Sequence, residues 1–178
     1  MKMQNIRIFE TNLQKIQELC ELYEYDNWDF RNFLKSGAFS KSEFFLIVKK
    51  VQSLIDCKKC SNCCKILKST LNKKDIKRIS SHLNLSEKEF MTNYLKKNKN
   101  QEFEFKKKPC IFLKKNKCTI YKVRPENCRD YPNLHKEIVP RTIQFLSNAR
   151  VCPVAFNVLE NAKNLIWVDD EYFNGWLE

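Results

Sequence analysis

Apolar residues recur along the first part of the chain with a helical period. Phe9, Leu13, Ile16, Cys20 and Tyr23 fall at spacings of four, three, four and three, which predicts a helix over residues 5–24 with one apolar stripe. Cys20 lies on that stripe and reads as a small core residue. A short helix follows at 28–35, stopped at Gly37. A third, at 42–55, turns Phe44, Phe45, Val48, Val51, Leu54 and Ile55 inward. Two more are predicted at 73–83 and 87–97, joined at Asn84. Their starts carry capping-box pairs, Asn72 with Asp75 and Ser86 with Glu89. Ile76, Ile79, Leu83, Phe90 and Tyr94 form their core stripes.

The period then shortens. After a polar turn at 96–100, the alternation in EFEF (102–105) predicts a strand. CIFLKKNKCTIY (110–121) reads as a hairpin with its turn near Lys115 and Asn116. An odd loop there puts Cys110 and Cys118 on one face; an even loop puts them on opposite faces. VRPENCRDYP holds a single helical turn between prolines, and 153–164 is helical. The pattern gives a mostly α fold with a small β-hairpin: a compact α+β domain over 57–178 with a C-terminal helical tail. An N-terminal helical extension covers 1–56.

Composition narrows the function. Only two glycines occur, Gly37 and Gly175, so neither a dinucleotide-binding turn nor a P-loop can be written. The formal charge is +12. It rests on lysine far more than arginine, a bias that an AT-rich genome places on solvated faces, so the charge alone weighs against a nucleic-acid partner. The run KKNKNQEFEFKKK (96–108) is the candidate contact for such a partner, and Glu102 and Glu104 dilute it. The start of the chain has no apolar leader core. The longest apolar run is the five residues Phe44–Val48, too short to span a bilayer. These features predict a soluble, cytoplasmic protein without a membrane partner.

In a reducing compartment nine cysteines are not expected to be disulfides. Cys57, Cys60, Cys63 and Cys64 crowd into CKKCSNCC, and Cys110, Cys118, Cys128 and Cys152 sit at turns or element ends. Thiolates at such spacings point to zinc or to an iron–sulfur cluster. On one helix Cys57, Cys60 and Cys64 would share a face, and Cys63 would point about 100° away from Cys64. The neighbours diverge on a strand as well. That favours two centres, or one larger cluster, with Cys63–Cys64 as the branch point. How eight ligands divide between centres is left open. Two Zn(Cys)4 sites would bring the charge from +12 to about +8. His82 and His135 receive no role.

The ordered set Cys57-x-x-Cys60-x-x-Cys63-Cys64, Pro109-Cys110-Ile111-Phe112-Leu113, Cys118-Thr119-Ile120-Tyr121, Arg124-Pro125-x-x-Cys128-Arg129-x-Tyr131-Pro132 and Cys152-Pro153 resembles the CxxCxxCC cysteine-cluster family. These YkgJ-type proteins are described as zinc- or iron-chelating. The resemblance spans about 57–153. It implies that the eight matched cysteines chelate metal. Val154 departs from it, where the family often has Gly. A related cluster occurs in flagellin lysine N-methylases, so an enzyme of methylase or redox type is the alternative; no methyl-donor site is evident. For such an enzyme Tyr121, Arg124, Arg129 and Tyr131 are the groups expected around the metal ligands. The metal ions themselves are the partners the sequence names.

Overall fold

The computed structural model describes residues 8–135 and 137–166. Its first helix begins later than the periodicity predicts. The side chain of Asn12 accepts from the amides of Gln14 and Lys15, and this cap starts α1 (Leu13–Leu22). Ile16 and Cys20 are buried on it, whereas Phe9 lies before the helix and is 50% exposed. Two asparagines explain the difference. Asn161 donates to the carbonyl of Ile8 (2.8 Å) and accepts from its amide (3.3 Å). Asn157 does the same for Glu10, at 2.6 and 2.8 Å. The side-chain amides bind this stretch as a neighbouring strand would. Ile8 is turned inward and Phe9 outward.

The second helix, α2 (Glu24–Lys35), is longer than predicted and ends before Gly37, whose φ of 75° only glycine adopts freely. In α3 (Lys41–Leu54), Phe44, Val48 and Val51 are buried as predicted, but Ile47 replaces Leu54, which is half exposed at the helix end. The chain divides into two units. Residues up to Ile55 and from Pro132 onward form a helical unit, and Asp56–Tyr131 form a cysteine-rich unit.

The helical unit is completed by α9 (Thr142–Ala149), which the sequence reading missed, and α10 (Pro153–Asn164), which it placed correctly. All twelve residues of α10 are buried, and α1, α3 and α9 pack against it. Several of its polar side chains are paired internally. Lys163 reaches Glu160 at 2.7 Å and donates to Asn27 on α2 at 2.9 Å.

In the cysteine-rich unit come α4 (Cys57–Cys60), α5 (Asn62–Ile66), β1 (Thr70–Leu71), α6 (Lys73–His82) and α7 (Glu87–Tyr94). Both capping boxes form, at Asn72 with Asp75 and at Ser86 with Glu89. Helix α7 stops at Tyr94, and the residues predicted to extend it become β2 (Leu95–Lys97). The strand β3 (Phe103–Phe105) lies between β1 and β2, antiparallel to both, with Thr70 opposite Glu104 and Leu95 opposite Phe105. Strands β4 (Leu113–Lys114) and β5 (Lys117–Cys118) form the hairpin. A 3-10 turn at Tyr121–Val123 and α8 (Glu126–Asp130) close the unit. Its core joins Leu71, Ile76, Ile79, Phe90, Leu95, Phe105, Phe112 and Ile120. Ring contacts run through it from Phe90 to Tyr94 to Phe112, each at 5.3 Å. The fold is mostly α with small antiparallel sheets, as the sequence indicated. Among the described residues no helix is long and apolar enough to cross a membrane.

Candidate metal centre

The cysteine run is not one helix. Asp56 caps α4 by accepting from the amide of Lys58 at 2.9 Å. Ser61, with φ of 46°, then breaks the helix in the left-handed region before α5 begins. Cys57 and Cys60 occupy one turn, and Cys63 and Cys64 the next. The thiol of Cys63 is hydrogen-bonded to the sulfur of Cys64. That bond is the chief reason the Cys64 thiol falls to about 7; burial opposes it and Arg124 assists.

The hairpin is tied to this knot through its backbone. The amide of Cys110 donates to the carbonyl of Cys64 at 2.8 Å. The hairpin loop has two residues, Lys115 and Asn116, with φ of 46° and 60°. An even loop would put Cys110 and Cys118 on opposite faces. Cys110, however, precedes β4, in a turn closed by the amide of Leu113 on the carbonyl of Cys110 at 2.9 Å. The strand parity does not reach it, and both cysteines pack against the same core.

Cys128 lies on α8. That helix is held by Asn127, which donates to Thr70 Oγ1 at 2.6 Å, and by the amide of Glu126, which donates to Asp75 at 3.1 Å. Asp75 is buried and also accepts from Arg78 at 2.6 Å, while the same Arg78 nitrogen donates to the carbonyl of Arg124 at 3.0 Å. One network therefore fixes the loop that carries Arg124 and the helix that carries Cys128.

The thiols affect one another. Burial pushes Cys128 up to about 11; a hydrogen bond with the Ser69 side chain opposes this, and the charges of Cys64, Cys110 and Cys118 add to it. Burial likewise raises Cys110, with the charges of Cys64 and Cys118 contributing. Cys118 is raised by burial and by Cys64. Cys57 is raised by burial, then by Cys60 and Asp56. Cys64, Cys110, Cys118 and Cys128 thus form a mutually repelling set once ionised, and Cys57 and Cys60 form a separate pair. Crowded thiolates are the groups that a soft divalent cation relieves.

Arg124 serves three of these cysteines, lowering Cys57, Cys64 and Cys118. It stacks on Tyr121 at 3.9 Å and donates to that residue's carbonyl at 2.8 Å. Lys58 stands over the same ring at 5.1 Å. Arg129 is exposed on α8, and Tyr131 closes that helix by donating its amide to the carbonyl of Asn127 at 3.2 Å. Cys152 lies in the helical unit, buried at the residue before α10. Cys20 is buried on α1, as a core residue.

None of the nine cysteines, all of them described, is in a disulfide. Among the described residues no group of three or more cysteine, histidine or carboxylate side chains is placed to hold a metal ion. One buried atom marks the knot as incomplete. The hydroxyl of Ser61, a residue 5% exposed, has no hydrogen-bond partner. A buried hydroxyl carries a cost unless it is paired, and a metal-bound sulfur is an acceptor suited to it. The donor set fits a thiolate-bound ion.

A family model described as "CxxCxxCC: Putative zinc- or iron-chelating domain" matches residues 56–153. The chain belongs to the CxxCxxCC family. The match takes in all eight cysteines named from the sequence, with Cys152 next to its end. No curated protein and no solved structure matches the chain. Beyond the cysteines, sequence reasoning missed Ser61, Ser69 and Asp75. Only Asp75 left a signal, as half of a capping box, and that signal spoke of α6 alone.

Proposed function

We propose that this CxxCxxCC protein holds zinc or iron, and that Cys64, Cys110, Cys118 and Cys128 are the ligands of one centre. The observation that carries this reading is the placing of Cys110: its amide is tied to the carbonyl of Cys64, and it packs with Cys118 against one core, in the unit that also bears Cys128. The charges of these thiols acting on Cys110, Cys118 and Cys128 support it. When bound, the ion supplies charge neutralisation for four thiolates and, if it is iron, a one-electron couple. Cys63 donates to Cys64 and orients it. Arg124 holds positive charge beside Cys57, Cys64 and Cys118. Cys57 and Cys60 belong to a second set. Cys152 keeps the ligand role that the family resemblance gives it, since it lies within the matched stretch.

The test is anaerobic purification with elemental analysis, acid-labile sulfide and a visible spectrum, repeated on single Cys→Ser variants. Substitution at Cys64, Cys110, Cys118 or Cys128 should each remove the same metal fraction. Cys57→Ser and Cys60→Ser should leave that fraction bound. Four variants with unrelated metal contents would overturn the grouping.

A further inference from the structure

Spread over the whole chain, a charge of +12 is ordinary; its location is not. The cysteine-rich unit, Asp56–Tyr131, has 21 Lys and Arg against 8 Asp and Glu, a net of +13. The rest of the chain has 12 against 13, a net of −1. A genomic bias towards lysine acts on both units and does not separate them. Metal binding does not absorb the excess either. Seven thiolates with two divalent ions remove about three charges and leave roughly +10.

The internal acids neutralise part of this surface. Glu104 pairs with Lys68 at 3.3 Å and Lys96 at 3.6 Å, and Asp75 pairs with Arg78. Those pairs take up the strand end of the 96–108 run. Lys107, Lys108, Lys114, Lys115 and Lys117 are exposed, and among the described residues none of them has an ion pair. Three of the five crowd the hairpin tip. Lys114 stands opposite Lys117 across β4 and β5, a like-charge pair that weakens a sheet. Lys115 occupies a left-handed position that Asn or Gly fills more readily. A hairpin with two residues per strand has little stability with which to offset either cost. An external anion accounts for both.

We propose that the hairpin tip Lys114–Lys117, with Lys107 and Lys108 on the segment that leads into the hairpin, binds the phosphate backbone of nucleic acid without reading its sequence. The surface chemistry favours this over an acidic protein. Protein interfaces bury aromatic and apolar anchors. In this unit the exposed large apolar residues are Leu67 and Tyr121, neither on the hairpin. Nucleic-acid interfaces are polar and strongly positive. Lysine supplies a point charge rather than the bidentate fork that reads guanine.

The test is fluorescence anisotropy of the metal-loaded full chain with labelled duplexes of two unrelated sequences, at salt from 50 to 200 mM. Both duplexes should bind equally, with the logarithm of affinity falling linearly against that of salt. Replacing Lys114, Lys115 and Lys117 together with Gln should lower the slope by about 3, and Lys107→Gln with Lys108→Gln by about 2. The charge-matched variant Lys15→Gln, Lys49→Gln, Lys50→Gln in the helical unit should leave it unchanged. Metal content and circular dichroism are measured on every variant, so loss of the fold or of the centre is separated from loss of binding. No duplex binding at 50 mM salt, equal slopes for all variants, or stronger binding to polyglutamate than to duplex would each overturn the proposal.

Discussion

The amide of Cys110 donates to the carbonyl of Cys64 across 2.8 Å, joining two cysteines 46 positions apart through their backbones. The hydrogen bond holds the loop before the hairpin against the knot whether or not the sulfurs are bonded to anything. On the proposed reading, metal would act on a backbone that is already in place, while the side chains still have to converge.

Stability should therefore depend on metal in a graded way. At an ion concentration 100-fold above Kd, binding adds about 2.7 kcal/mol to the folded state. Chelation should lower the thermal midpoint, and restoring the ion should recover it. A midpoint that ignores both treatments, in protein shown to carry metal, would falsify the centre as a stabilising element.

Asp75 links α6 to α8 and to the loop bearing Arg124. Asp75→Ala removes the reciprocal half of the α6 capping box, takes from Arg78 its carboxylate partner and leaves the Glu126 amide without its acceptor. The expected loss is about 2–4 kcal/mol in urea unfolding, with weaker metal retention because Cys128 loses its support. Asp75→Asn keeps an acceptor and should cost less.

The Glu160–Lys163 pair is 1% and 0% exposed at its side chains. Lys163→Met alone removes the cation beside a buried carboxylate and should cost about 3–5 kcal/mol. Glu160→Leu combined with Lys163→Met should recover most of that loss. A double variant as unstable as the sum of the singles would show that the charges do not act as a pair.

Burial pushes the Cys20 thiol up to about 11 from an ordinary value of 9.0. A raised value in the fold means that the contribution of this thiol to stability is intact below pH 9 and is lost as pH rises through about 11. Wild-type protein should lose stability across that window more steeply than Cys20→Ala. In mass spectrometry after brief alkylation at pH 8, Cys20 should stay unmodified in native protein even after chelation, while the cysteines of the Asp56–Tyr131 unit become labelled.

What the sequence disclosed was local. The capping boxes at Asn72 and Ser86, the Lys115–Asn116 turn and the helix from Pro153 are each set by residues within a few positions. Phe9 was misjudged because Asn157 and Asn161, near the other end of the chain, decide its surroundings. α9 has no side-chain cap to announce it, and β1 and β2 are too short for alternation to show. At the candidate site the thiols themselves stood out by their spacing. The grouping of Cys64 with Cys110, Cys118 and Cys128 that we propose was not legible, because it depends on a turn at Cys110 that strand parity does not capture. Ser61 reads as an ordinary linker until its hydroxyl is found buried.

The asparagine clasp on residues 8 and 10 also sets an order of events during synthesis. Ile8 and Glu10 meet partners 153 and 147 positions later. At translation speeds of 5–20 residues per second, that is a wait of roughly 7–30 s. The whole Asp56–Tyr131 segment leaves the ribosome within the interval, so its thiols are all made before α10 is there for α1 and α3 to close upon.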